Sequence, residues 1–209
     1  MNPMQPVYIT AFCILRNRQL VVDGRVVLAN HSGLSLGDWL KSAYQQLGMD
    51  YPKFYKMDAL AKATLIAVEW ISRTLPVAGT NTPLVFSNYS SSMVSDDRHA
   101  AGIYDPDDAS ASPGVFVYTL PNIGMGEVSI RHQLHSENVF FIFERFTPEF
   151  LVPYVTGMLE REGLQQVLAG WVEVGADGTC DVLLYAVSRH GKLPHTIEQL
   201  NALYNKDYE

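Results

Sequence analysis

ASASPGVFVYTLPNIGMGEVSIRHQLHSEN, residues 109–138, runs directly into VFFIFER, residues 139–145. Two prolines and three glycines punctuate the first stretch. The second opens with five apolar residues in succession, Val139 to Phe143, the pattern of a strand buried on both faces. Glu144 and Arg145 close that run, and no cysteine stands between residues 139 and 147. A charged pair at this point either is buried and needs a partner, because an isolated buried charge is costly, or is the solvated end of the strand.

On the carboxy-terminal side, Phe150, Leu151, Tyr154, Val155, Met158 and Leu159 recur at helical spacing and predict a helix over 148–162, with Gly163 as its stop. Residues 165–174 (QQVLAGWVEV) and 181–187 (DVLLYAV) predict an antiparallel pair across 175–178, and 196–204 a short terminal helix. On the amino-terminal side, 83–87 (PLVFS) reads as a short buried strand, followed by a polar loop over 88–110. The clearest helix is 56–75, capped by Asp58 and striped by Leu60, Ala63, Thr64, Ala67, Val68 and Ile71. Ser35 caps an amphipathic helix over 35–47. Residues 7–15 (VYITAFCIL) form a first strand, with a hairpin of 19–22 and 25–28 around Asp23-Gly24. Strands alternating with helices predict one α/β layered domain over 1–209, its sheet made mixed by the final hairpin.

The 209 residues are 47% hydrophobic and 18% charged, an ordinary globular balance able to form a sizeable core. A net charge of −7 argues against nucleic acid as a partner, since phosphate binding leans on clustered Lys and Arg. Cys13 and Cys180 sit inside apolar runs and read as small buried hydrophobes. The opening MNPMQP lacks the features of a signal peptide, and no apolar run reaches membrane-spanning length, so a cytoplasmic location and no membrane association are expected.

Ser112-Pro113, Phe116, Thr119-Leu120-Pro121-Asn122, Gly126-Glu127 and Ile130 resemble the amino-terminal half of β-ketoacyl synthases, the condensing enzymes of fatty acid and polyketide synthesis. The similarity extends more loosely from about Val7 to Val187, and Leu168-Ala169-Gly170-Trp171-Val172-Glu173 resembles the strand that follows the family's nucleophile helix. The resemblance implies a thiolase-like half, a five-stranded mixed sheet covered by helices. It also implies that Ser136-Glu137-Asn138 stands where the family has a Gly-Pro-Asn-like turn. The family's spacing from Asn138 then places Arg145, or Glu144 with the register one residue earlier, at the nucleophile position. Neither forms a thioester, and the family's catalytic histidines belong to a carboxy-terminal half that the chain is expected to lack.

The resemblance therefore implies a non-catalytic protein acting by association, needing no cofactor, and similar to chain-length-factor subunits or to the short synthase-like proteins of bacterial polyene and flexirubin-type pigment pathways. Its partner would be a second copy or a full-length β-ketoacyl synthase, with Phe116, Val139, Phe141, Ile142 and Phe143 near the dimer axis and a helix over 116–130 beside it. An acyl carrier protein is a further expected partner. Being acidic, it would need a basic patch, for which Lys53, Lys56, Lys62, Arg131 and Arg145 are the candidates. Pocket candidates are Glu144, Arg145, His132 and Asn138.

An alternative is an enzyme that reuses the half-fold for other acyl-thioester chemistry, with Glu144 or His132 as acid or base; another is a purely structural homodimer. His132 and His135 share a His-x-x-His spacing, but no third or fourth ligand is nominated and no metal is expected. Ser90, Ser91 and Ser92 lack the glycine-flanked nucleophile elbow and read as backbone caps. Asn122 and Glu127 read as turn residues. His31, His99, His190 and His195 carry no readable signal.

Overall fold

The computed structural model describes residues 5–208 apart from 31, 78, 80, 108, 109 and 162, so His31, the first four residues and Glu162, the expected end of one helix, lie outside the described residues. Eight strands share one sheet: β1 Tyr8–Arg16, β2 Gln19–Val22, β3 Arg25–Ala29, β4 Leu84–Asn88, β5 Asn138–Ile142, β6 Gln166–Val174, β7 Cys180–Ser188 and β8 Leu193–Pro194. The five expected strands lie in the order β5-β4-β6-β7-β1. β4 runs parallel to both β5 and β6, while β7 is antiparallel to β6 and β1, so β7 alone opposes the other four. Among the described residues the sheet thus has eight strands and not five; the other three are short, two of them being the expected hairpin, and gather on β1. The β2–β3 hairpin extends it, and β8 pairs with Tyr8 and Ile9.

Helices cover both faces. On one side lie α1 Leu36–Gln46, α2 Ala59–Ser72 and α5 Ile123–His132, burying Leu40, Leu65, Ile66, Met125 and Val128 against Phe86, Leu168 and Leu184. On the other lie α6 Pro148–Met158 and α7 Ile197–Asn205, packing Leu151, Val155 and Leu200 against Val85, Val167 and Tyr185. The two caps the sequence nominates are present, Ser35 accepting from Asp38 N and Asp58 from Ala61 N, and Thr196 caps α7 by accepting from Gln199 N. In the middle of β6, Gly170 (φ 145°) has the carbonyl oxygen of Leu183 where a Cβ would stand, 2.0 Å away, so only glycine lets β6 and β7 close there.

Four further expectations are corrected. The stretch 88–110 contains a helix, α3 Met93–Ile103, which buries only Ser95 and therefore shows no apolar stripe. The helix expected over 116–130 is broken: α4 Pro113–Phe116 leads into a 3₁₀ turn at Val117–Thr119, and α5 begins only after Pro121. The long helix after β5 ends at Met158, five residues before Gly163, whose φ of 83° belongs to the following turn. The strand over 139–143 is not buried on both faces. It stands at the edge of the sheet, half-buried, with Ile142 50% exposed.

Candidate functional site

β5 pairs on one side only, with β4, in register from Leu84↔Asn138 to Asn88↔Ile142. Side chains alternate along it. Phe141 and Phe143 face α6, where Phe141 meets Phe150 and Tyr154 edge-on at centroid distances of 4.8 and 5.3 Å. Phe140 turns to the opposite layer, and Ile142, exposed, follows it on that face. That layer also leaves Ile130 of α5 63% exposed and Phe116 of α4 57% exposed. The strand's free edge is thus flanked by apolar side chains on both faces, with no lysine or proline within it.

The structure disperses the expected pocket. Asn138 begins β5 and donates through Nδ2 to Ser129 Oγ at 3.0 Å, whereas Glu144 and Arg145 lie past its other end, about 20 Å of extended chain away. Glu144 and Arg145 are both exposed and form no ion pair among the described residues, so they are the solvated end of the strand. His132 is buried at the last residue of α5, its Nε2 3.1 Å from Glu69 Oε1 of α2, with the ring N–H poorly aligned for a hydrogen bond. Arg131 Nε donates to the same oxygen at 3.0 Å. Burial pushes the Glu69 carboxyl up, but the contacts from His132 and Arg131 outweigh it and hold the group below its usual range. This cluster ties α5 to α2. Gln133, in the left-handed region at φ 54°, turns the chain before the exposed His135, and no group of three metal-binding side chains forms among the described residues.

A second site went unread in the sequence. Gly124 brings α5 close to α2, where an added Cβ would lie 3.3 Å from Ala61 Cα. One turn later Glu127, expected in a turn, is instead helical and buried beside the amino-terminal end of α2. Its carboxylate receives Lys53 Nζ at 2.8 Å, Tyr118 OH at 3.2 Å and Tyr51 OH at 3.5 Å. Burial, and then the Glu127 charge, raise the Tyr118 phenol well above its ordinary value. Glu127, Tyr118 and Lys53 line a cleft of about 690 Å³ that Lys56, Lys62 and Arg98 also line. Three of the five expected basic-patch residues are therefore gathered; Arg131 is engaged with Glu69, and Arg145 stands beyond β5.

A larger cleft, about 910 Å³, opens at the carboxy-terminal end of β1 beside Arg16, Asp181 and Tyr204. Those three are mutually occupied: Arg16 Nε donates to Asp181 Oδ1 at 2.6 Å, and Tyr204 OH to Asp181 Oδ2 at 2.5 Å. Cys180 lines this cleft, and burial pushes its thiol up to about 12; burial also raises Cys13, so neither is poised as a thiolate. Among the serines, Ser90 donates through N and Oγ to Glu173, which also receives Tyr89 N, while Ser92 Oγ donates to Thr119 O; these contacts anchor the loop after β4.

The layered mixed sheet is the thiolase-like fold of ketosynthases. No protein-family model matches the chain, and no curated protein matches its sequence. Solved structures do match it. They include the ishigamide ketosynthase/chain length factor (14% identity, 88% of this chain and 62% of that one, TM-score 0.57). The ketosynthase ApeO in complex with its chain length factor ApeC from Xenorhabdus doucetiae also matches (13% identity, 89% and 80%, TM-score 0.56). A third is the AntDE:AntF assembly of a type II polyketide ketosynthase with its acyl-carrier protein (11% identity, 89% and 63%, TM-score 0.59). The chain spans under two thirds of the first and third of these chains and four fifths of the second. No helix among the described residues is long and apolar enough to cross a membrane.

Proposed function

We propose that the chain is a ketosynthase-like partner subunit that acts by association, its β5 edge continuing the sheet of a full-length β-ketoacyl synthase in fatty acid or polyketide assembly. The observation that carries this is the open, apolar, half-buried edge of β5. Long flat apolar edges are aggregation hazards unless something covers them, and burying each Phe or Ile side chain contributes roughly 1.5–3 kcal/mol. Phe116, Val139, Phe141, Ile142 and Phe143 belong to this surface; Ile142, exposed at the end of β5, is its most diagnostic member.

A role without covalent chemistry is supported by the side chains near β5. On the family resemblance the nucleophile position falls on Arg145, or on Glu144 with the register one residue earlier, and both cysteines lie in strands of the sheet with thiol pKa values raised by burial. An acyl carrier protein enters this reading through the synthase partner, as in the carrier-protein complex among the similar structures. Co-expression with a full-length synthase, followed by light scattering of the purified complex, is the test. A stable one-to-one pair lost on Ile142→Lys supports the reading, while a chain that stays monodisperse and monomeric both alone and with such synthases overturns it. Intact-mass measurement after incubation with acyl thioesters should give no adduct, and an acylated side chain would overturn the non-covalent role.

A further inference from the structure

The cleft at the amino-terminal end of α2 borders the turn that carries Phe116, but none of the five pairing-surface residues lines it. Its lining concentrates positive charge in a chain whose net charge is −7. The two carboxylates beside it are already engaged. Glu127 is held by Lys53 and two phenols, and Asp58 accepts from Ala61 N at 2.8 Å and from Ser95 Oγ at 2.7 Å. Lys56, Lys62 and Arg98 meet no carboxylate at ion-pair distance among the described residues. Burial and the neighbouring charge of Lys41 hold Lys62 below its ordinary value, Asp58 offsetting this in part and Arg98 adding to it. Like charges held together around a concavity are destabilising until an anion joins them.

We propose that this cleft binds an organic phosphate, a phosphate ester carrying an apolar or aromatic body. A phosphate group offers several oxygens at once, which suits one guanidinium fork and two or three ammonium groups converging from different elements; a lone carboxylate, with two oxygens, satisfies fewer. The volume, about 690 Å³, is that of a small-molecule site and far exceeds one phosphate group. Met57, Val115, Val117 and Tyr118 supply the apolar wall for the remainder of the ligand. Tyr118 and Lys53 are fixed in place by Glu127, so part of the site is built before any ligand arrives.

The test is carried out on the isolated chain at physiological salt and does not depend on any partner, so its outcome is separate from that of the pairing role. Backbone amide spectra are titrated with phenyl phosphate, inorganic phosphate and benzyl alcohol. Phenyl phosphate should give saturable shifts confined to the α2 cleft and bind at least fivefold more tightly than inorganic phosphate, while benzyl alcohol should not saturate. Lys56→Ala combined with Arg98→Ala, both exposed positions, should weaken phenyl phosphate at least tenfold, Lys56→Arg should retain it, and Lys192→Ala on a distant surface should leave it unchanged. Unsaturable shifts, shifts spread over surface lysines generally, or an unaffected double variant would each overturn the proposal.

Discussion

The two edges of the sheet are built on opposite plans. At the β3 edge the strand, five residues long like β5, opens with the exposed Arg25 and carries a register shift in its pairing with β2, between Leu20 and Val21. Gln46 of α1 donates through Nε2 to Val27 O at 3.1 Å, engaging one of the edge carbonyls directly. Charge, irregularity and a covering side chain are the devices by which edge strands avoid further pairing. β5 has none of them: its pairing with β4 is regular throughout, and apolar side chains flank it on both faces. One edge is closed by its own chain, and the other is left for a second molecule.

The largest expected effect comes from breaking the open edge. Ile142→Lys should weaken association by on the order of a thousandfold, about 4 kcal/mol, because a charge would be desolvated on the exposed apolar face of the pairing strand. Sedimentation or light scattering over a concentration series measures it, and circular dichroism confirms that the variant is folded.

Next in size is a pH effect on the closed half of the sheet, where β8 lies against β1. His195 is buried beside Tyr185, and burial lowers its pKa to about 4. Neither ring nitrogen has a hydrogen-bond partner. In the unfolded chain the imidazole takes up a proton near pH 6.5, whereas the folded protein resists doing so until about pH 4. Stability is therefore full above pH 6.5 and falls by about 3 kcal/mol as the pH drops to 4. Urea unfolding at pH 7, 5.5 and 4.5 should show the decline, and His195→Leu should flatten it between pH 6.5 and 5, where carboxylates contribute little.

Glu69→Gln should cost about 2 kcal/mol at neutral pH, since it removes the carboxylate charge that Arg131 and His132 share beneath the layer that flanks β5. The same thermal or urea melts read it. The smallest effect belongs to the control that sharpens the contrast between edges: Arg25→Ala, at the exposed start of β3, should alter stability by no more than about 0.5 kcal/mol and leave association untouched.

Local chemistry made the long elements legible. Asp58, Ser35 and Thr196 announce their helices by caps that need only the next three residues, and β6 and β7 are apolar for nearly their whole length. α3 escaped because it packs almost nothing, and the unbroken helix over 116–130 rested on the family resemblance although Pro121 interrupts it. The burial of β5 was misread for a deeper reason: five apolar residues look the same whether the chain itself covers them or another molecule does. Glu127 was unreadable as a site because its cation, Lys53, lies 74 positions earlier and only the Gly124 approach of α5 to α2 joins them. Glu144 and Arg145, adjacent and conspicuous in sequence, converge on nothing.

The pairing of β1 with β7 sets a timetable for synthesis. β1 finds β2 at once, through the hairpin at Asn17-Arg18, but its other edge must wait for a strand that begins at Cys180, and Tyr8 finds its opposite only in Ser188. At translation rates of about 5–20 residues per second, that edge stays uncovered for roughly ten to thirty seconds while α1, α2 and the parallel strands emerge. Until β7 arrives, β6 and β1 cannot be bridged, because no other strand stands between them. A ribosome stalled before residue 180 would therefore display two unfinished sheet fragments, and a chaperone that holds the nascent chain would find its hydrophobic target in β1, an interior strand of the finished sheet and not the edge that awaits a partner in the finished protein.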